Sequence, residues 1–297
     1  MNQKIKVLGL ASAIMMSIGS LSFAVENDLS AEDATFFSNY PNLTSYNTEY
    51  TFIYDKDSGD KSQILKVQAA SPNWSPKLFD TITQANSISW NKIVGTSNAV
   101  TSVNKVNVTP DDIEGSGGFS AKANTTIDTS AEAGVTIVEA TNGTYGGYMD
   151  FTVVINPIDA QTQSGINVRA YDKTSGSFEF LASGTNTVNS TTVSSNINYA
   201  SAMDALGVIG TDISAPISYG TPYLTSVTIN DIPYIAQGSS GWMYAVYNVD
   251  GTLSSISNKV GAETFNVSEG QTVVWAYVNG YDAGFPNTLS ELPSSTN

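Results

Sequence analysis

The residues of this sequence best suited to binding are aromatic. Tyr223, Tyr234, Trp242, Tyr244, Tyr247, Trp275 and Tyr277 concentrate toward its C-terminal end. Aromatic faces stack on planar ring systems, sugars and apolar partners alike, which makes Tyr223, Tyr234, Trp242, Tyr244 and Tyr247 candidate ligand-binding residues. In a strand, residues two apart share a face. Trp242 is therefore expected beside Tyr244, and Trp275 beside Tyr277, with one of those faces belonging to the core. Trp74 sits between Pro72 and Pro76, which points to a loop; Trp90 lies in an alternating run from Ile88 to Ile93, which points inward.

Ionisable chemistry is sparse by comparison. The chain has no histidine and no cysteine, which removes the commonest metal ligands, neutral-pH general bases and thiol nucleophiles. A hydrolase would have to rely on lysine or paired carboxylates, and no such constellation stands out, so the sequence reads as a non-enzyme. Gly115-Ser116-Gly117-Gly118 runs into Phe119 without the lysine of a phosphate-binding loop. Asp55, Asp57 and Asp60 offer hard oxygen donors suited to calcium. That run has Gly59 at the fifth position and Lys66 where a closing acid belongs, so a solvated hairpin turn is the competing reading. Asp111, Asp112 and Glu114 form a second acidic group open to the same two readings.

Residues 1–24 read as a secretory signal. Lys4 and Lys6 precede an apolar run from Val7 to Ile18, Ser22-Phe23-Ala24 supplies a cleavage site, and the mature chain is expected to begin at Val25. No apolar stretch reaches the roughly 20 residues of a membrane-spanning helix, so no membrane span is expected. Leu292-Pro293-Ser294-Ser295-Thr296 shares its first letters with a sortase signal but lacks the glycine, the apolar span and the basic stop. Loss of the two signal lysines takes the net charge from −15 to −17. A surface so acidic repels nucleic acid, whose phosphates need Lys or Arg, and Arg169 is the sole arginine. The expected location is extracytoplasmic, secreted or associated with the cell surface.

The elements that must position the aromatics are mainly strands. Runs such as Tyr50–Tyr54, Val135–Val138 and Phe151–Ile155 recur between Gly, Asn, Asp and Ser clusters. The expected fold is mainly β with a minor helical component: an immunoglobulin-like β-sandwich at 49–157, and an α+β domain at 166–280 with one helix packed on β-sheet. Residues 25–48 read as an irregular lead-in holding a short helix capped by Asp28 or Ser30, 158–165 as a linker, and 281–297 as a flexible tail. A second helix is expected over Tyr199–Leu206, capped from Asn196 or Asn198.

Between Ile166 and Gly280 the order of motifs carries a resemblance. The hairpin from Ile166 to Leu181 leads to Ala200-Ser201-Ala202-Met203-Asp204-Ala205-Leu206, then Tyr223–Val227, then Gly241-Trp242-Met243-Tyr244, and finally Gly270-Gln271-Thr272-Val273-Val274-Trp275. This region resembles the C-terminal domain of the transcobalamin and intrinsic factor family, in the version carried by bacterial surface proteins. The resemblance implies an α+β fold and a corrinoid as ligand. In that family a separate helical barrel covers the other face of the corrin, and this sequence contains none. Two functions follow as expectations: a binding protein for a corrinoid or another small molecule, or a structural or adhesive protein acting through contacts with other surface proteins.

Overall fold

The computed structural model describes residues 30–294, apart from 47, 48, 144, 191–196, 219, 220, 281 and 282. The signal sequence, Asp28 and Asn196 lie outside the described residues. The protein is mainly β with few helices, and it divides into two compact units between Ile155 and Asn156.

The N-terminal unit contains, in chain order, α1 (Ala31–Asn39), β1 (Asn42–Ser45), β2 (Thr51–Asp55), β3 (Lys61–Ala70), β4 (Pro76–Lys77), α2 (Ile82–Asn86), β5 (Ser89–Val94), β6 (Val100–Val106), β7 (Ala121–Ile127), β8 (Gly134–Asn142) and β9 (Gly147–Asn156). One sheet has the order β1-β3-β7-β6, with β4 on the end of β3; the other has the order β2-β9-β8-β5. Period-two burial explains why these segments become strands. Leu65, Val67 and Ala69 are buried in β3 and Ala121, Ala123, Thr125 and Ile127 in β7, while residues between them reach solvent. Phe52, Phe151 and Trp90 stack across β2, β9 and β5, with centroids 6.5 and 6.1 Å apart.

The expected lead-in belongs to this unit's fold. Ser30 caps α1, its hydroxyl accepting from the Asp33 N–H at 3.1 Å. Phe37 is fully buried between Phe79 and a stacked Tyr145, worth about 1.5–3 kcal/mol for a ring removed from water. β1 then pairs with β3 from Asn42↔Ala70 to Ser45↔Val67. Trp74 occupies a tight turn with φ 59°, its N–H bonded to Ser71 O at 2.7 Å.

The C-terminal unit contains β10 (Thr162–Asp172), β11 (Glu179–Asn189), α3 (Ala202–Ala205), β12 (Thr211–Ser214), β13 (Ile217–Ser218), β14 (Thr221–Pro222), β15 (Ser226–Ile229), β16 (Ile232–Ile235), β17 (Ser240–Tyr247) and β18 (Thr272–Asn279). Its main sheet is mixed, β11-β10-β18-β17, with β10 and β18 parallel. A smaller sheet runs β12-β15-β16, and β13 pairs with β14. Asn230 and Asp231, both at positive φ, close the two-residue turn between β15 and β16, the conformation for which a short polar side chain is favoured.

Three boundaries differ from the sequence reading. The strand expected from Ile166 starts at Thr162, so half of the expected linker at 158–165 is paired strand; a register shift between Gln163 and Ile166 accounts for its irregular pattern. The expected helix over 199–206 is shorter. Ser201, not Asn198, is its cap, bonding reciprocally with Asp204, and α3 passes into a 3-10 turn over Leu206–Val208 that packs on β11. The described part of the expected tail is docked: Leu292 is 4% exposed in a cluster with Tyr171, Ala245, Tyr247 and Val274, and the Tyr171 hydroxyl donates to Pro293 O at 3.0 Å.

Candidate functional site

β17 and β18 run antiparallel with Trp242 opposite Tyr277 and Tyr244 opposite Trp275. Strand periodicity puts these four rings on one face, and directly opposed aromatic pairs stabilise a sheet by up to about 1 kcal/mol each. The Trp242 and Tyr277 centroids are 5.4 Å apart, and those of Tyr244 and Trp275 are 5.6 Å apart.

The two pairs serve different purposes. Trp275 is only 2% exposed, and Tyr244 packs edge-on to Phe265 while its hydroxyl donates to Val260 O at 2.6 Å. Burial, helped by Glu263 and Tyr199, pushes the Tyr244 phenol well above its ordinary range. Trp242 and Tyr277 are partly exposed and are met by Tyr234 of β16, with centroids 5.7 and 5.4 Å away. The Tyr277 hydroxyl donates to Ile235 O at 2.6 Å and so ties β16 to the main sheet. Burial, and then Asp172, raise the Tyr234 phenol. Tyr223 is 46% exposed, and its hydroxyl lies 3.5 Å from where a Cβ on Gly241 would stand. The missing side chain at Gly241 leaves the ring room to approach β17, but at an odd position, on the face away from Trp242, so Tyr223 does not join these rings.

Tyr234, Trp242 and Tyr277 therefore form one aromatic surface with Ile232 of β16 beside it, more than half exposed. The Trp242 Nε1–H is shielded and has no acceptor among the described residues. Tyr277 was not among the five candidates. The signal that finds it is the antiparallel register, which a single strand's pattern does not contain.

Two further candidates lie elsewhere. Tyr247 is fully buried on the opposite face, its hydroxyl donating to Pro286 O at 2.8 Å, and its phenol is raised by burial first and then by Tyr171 and Glu291. Odd and even positions of β17 face opposite ways, so Tyr247 cannot join Trp242. Tyr244 shares the face of Trp242 but is committed to the core.

The acidic groups do not gather. Asp55, Asp57 and Asp60 belong to a turn in which the Asp57 N–H bonds to Thr129 O at 2.9 Å, and no cluster of three metal-ligating side chains occurs among the described residues. Asp112 and Glu114 are instead neutralised by lysines: Lys122 Nζ lies 3.0 Å from Asp112 and 3.2 Å from Glu114, and Lys66 Nζ lies 3.3 Å from Glu114. The Thr109 backbone N–H, and then Lys122, hold the Asp112 carboxyl at about 2. No helix among the described residues is long and apolar enough to cross a membrane. No family model matches the chain, and no curated protein matches it in sequence.

Proposed function

We propose that this is an extracytoplasmic, non-enzymatic binding protein whose C-terminal unit holds a ligand against the aromatic surface of Tyr234, Trp242 and Tyr277. The observation that carries the reading is their partial exposure. Core rings in the same sheet, Trp275 and Tyr247, are packed away with little or no exposure, whereas these three stay partly exposed and touch one another. Open stacking area suits a planar, largely apolar ring system. A corrinoid is the first ligand to test, on the motif resemblance of residues 166–280. The surface would engage one face of the ring and leave the other free.

A second reading has its own support. Among the described residues β16 pairs with β15 alone, and Ile232 and Ile235 are 55% and 51% exposed along it. An exposed apolar edge strand invites strand addition from another protein, and so an adhesive or structural role.

Titration of the mature protein with cobalamin, followed by tryptophan fluorescence and calorimetry, separates the two. One-to-one binding that weakens at least about tenfold in Trp242→Ala, and is unchanged in Tyr247→Phe, is the expected result; tenfold corresponds to about 1.4 kcal/mol. Absence of binding up to about 1 mM refutes the corrinoid, and a pull-down of other surface proteins lost in Ile232→Lys/Ile235→Lys then favours assembly.

A further inference from the structure

The mature chain has ten basic side chains, and every described lysine has a recorded partner. Lys66, Lys77 and Lys122 are in ion pairs, Lys92 bonds to Asn98, and Lys56, Lys61, Lys105 and Lys173 donate to backbone carbonyls. Lys259 is engaged as well. Arg169 differs. No carboxylate lies within 4.0 Å of its guanidinium among the described residues, and its one neighbour of note is the Tyr171 hydroxyl. An arginine left without a carboxylate in so acidic a chain is unexpected on electrostatic grounds.

Its surroundings are polar by construction. In β10 and β11, Arg169 pairs with Ser183 and Asn167 with Thr185; Asn167 also pairs with Thr272 of β18. Strand periodicity puts all five side chains on the face that carries Tyr171 and Tyr247. Around Tyr171 and Tyr247 that face is roofed by Leu289 and Leu292. Around Arg169 it opens into a depression of about 330 Å³ lined by Asn167, Arg169, Ser183, Thr185 and Thr272. The Thr185 hydroxyl donates to Asn167 Oδ1 at 2.7 Å and Asn167 Nδ2 donates to Gly270 O and Gln271 O at 3.5 and 3.4 Å, so the amide is spent on holding the wall of the depression.

We propose that this depression is a second binding site, separate from the aromatic surface, for a sugar acid. The guanidinium fork suits the ligand's single carboxylate, and the hydroxyls of Ser183, Thr185 and Thr272 meet its ring hydroxyls. One unpaired cation matches one carboxylate; a phosphate, with up to two charges, would call for more than the single arginine present. The volume is at the low end of ligand sites, about 300–1,000 Å³, and suits one sugar ring rather than a chain.

The test is a titration of the uniformly 15N-labelled mature protein with galacturonate, with galactose as the neutral control. The amides of Gly184 and Thr185 and the Arg169 Nε–H are expected to shift and saturate with galacturonate alone. Arg169→Lys keeps the charge but loses the fork, and is expected to weaken binding about tenfold or more, while Trp242→Ala leaves it unchanged. Lack of saturation up to about 50 mM, equal shifts with galactose, or shifts mapping away from β10 and β11 would overturn the proposal. Should Arg169→Lys lose its amide dispersion, the wild-type comparison of the two sugars decides. Because Trp242→Ala reports on the aromatic surface and Arg169→Lys on this one, failure at either site is read independently.

Discussion

The C-terminal segment offers the sharpest test of the architecture, because its sequence looks expendable and its structure does not. Leu292 is 4% exposed among Tyr171, Ala245, Tyr247 and Val274, with Phe285 and Leu289 alongside. Leu292→Ala removes most of a buried side chain and leaves a cavity, for which about 2–5 kcal/mol is the expected cost. For a unit of this size each kcal/mol lowers the midpoint by about 3 °C, so a fall of about 6–15 °C is expected. Ending the chain after Gly284 does more: it strips Phe285, Leu289 and Leu292 from this face, exposing apolar surface around Tyr171, Tyr247 and Val274 to water, and removes Pro293 O and Pro286 O, the acceptors of the two tyrosine hydroxyls. Both variants should be made in a background with Trp74→Phe and Trp90→Phe, so that fluorescence reports on Trp242 and Trp275 alone during urea unfolding. A Leu292→Ala midpoint within about 0.5 kcal/mol of its parent would refute the reasoning, since surface substitutions stay inside that range.

Three further outcomes follow from the same geometry. Burial raises the Glu263 carboxyl to about 7, its oxygens folded against the bare Cα of Gly261. Since the folded state then holds its proton more tightly than the unfolded chain, whose ordinary value is 4.5, stability falls as pH rises from about 4.5 to about 7 and is level above; Glu263→Gln should flatten that slope and gain about 1–3 kcal/mol at pH 8, measured by urea unfolding across pH. Gly147→Ala would drive a Cβ to 2.0 Å from Pro41 O, a backbone atom that cannot turn aside; a loss of about 1–3 kcal/mol is expected, with protease cutting before β1 well ahead of wild type. Calcium should shift the melting temperature by less than about 1 °C, since a ligand stabilises only through a site on the folded state, and Asp55, Asp57 and Asp60 form none that gathers three acids; a shift of several degrees that Asp57→Asn abolishes would show otherwise.

What the sequence carried well was whatever depends on near neighbours. Alternation in Leu65–Ala69 and Ala121–Ile127 is printed in the residue order, as is the turn chemistry of Asn230-Asp231, so the mainly β class was readable. The Ser201–Asp204 capping box was readable too, though asparagines upstream drew attention from it. Long-range pairing was not readable. Thr162–Gln163 gives no apolar alternation, yet it pairs with β11 because backbone hydrogen bonds do not depend on side-chain pattern. Leu289 and Leu292 are spaced among Ser and Pro, and only the apolar face of Tyr171, Tyr247 and Val274 supplies a reason for them to dock. The aromatic site was half legible. The ring types marked Trp242 and Tyr234, but the choice between Tyr244, Tyr247 and Tyr277 required the register of β17 against β18 and knowledge of what covers each face.

The same alternation that assigns a face does not decide whether a ring on it is core or site. Trp275 and Tyr277 are two residues apart on one strand face; Trp275 is sealed by Tyr244 while Tyr277 stays accessible. The difference lies in the cover. Over Trp275 the roof comes from Tyr244 and the Phe265 region, large apolar groups that exclude water. Over Tyr277 the roof is Tyr234 from a short edge strand, whose Ile235 O accepts from the Tyr277 hydroxyl. β15 is fixed by its buried Val227 and Ile229 and by the bond from Asn230 to Leu181 O, but the edge strand β16 can adjust to a ligand at the cost of about one exposed hydrogen bond to the main sheet. The core rings have no such freedom. Tyr277→Phe, which unpins β16 without removing a ring, should therefore alter ligand affinity more than it alters global stability. Equal effects on both would mean that β16 is part of the rigid core, and that the aromatic surface is packing and not a site.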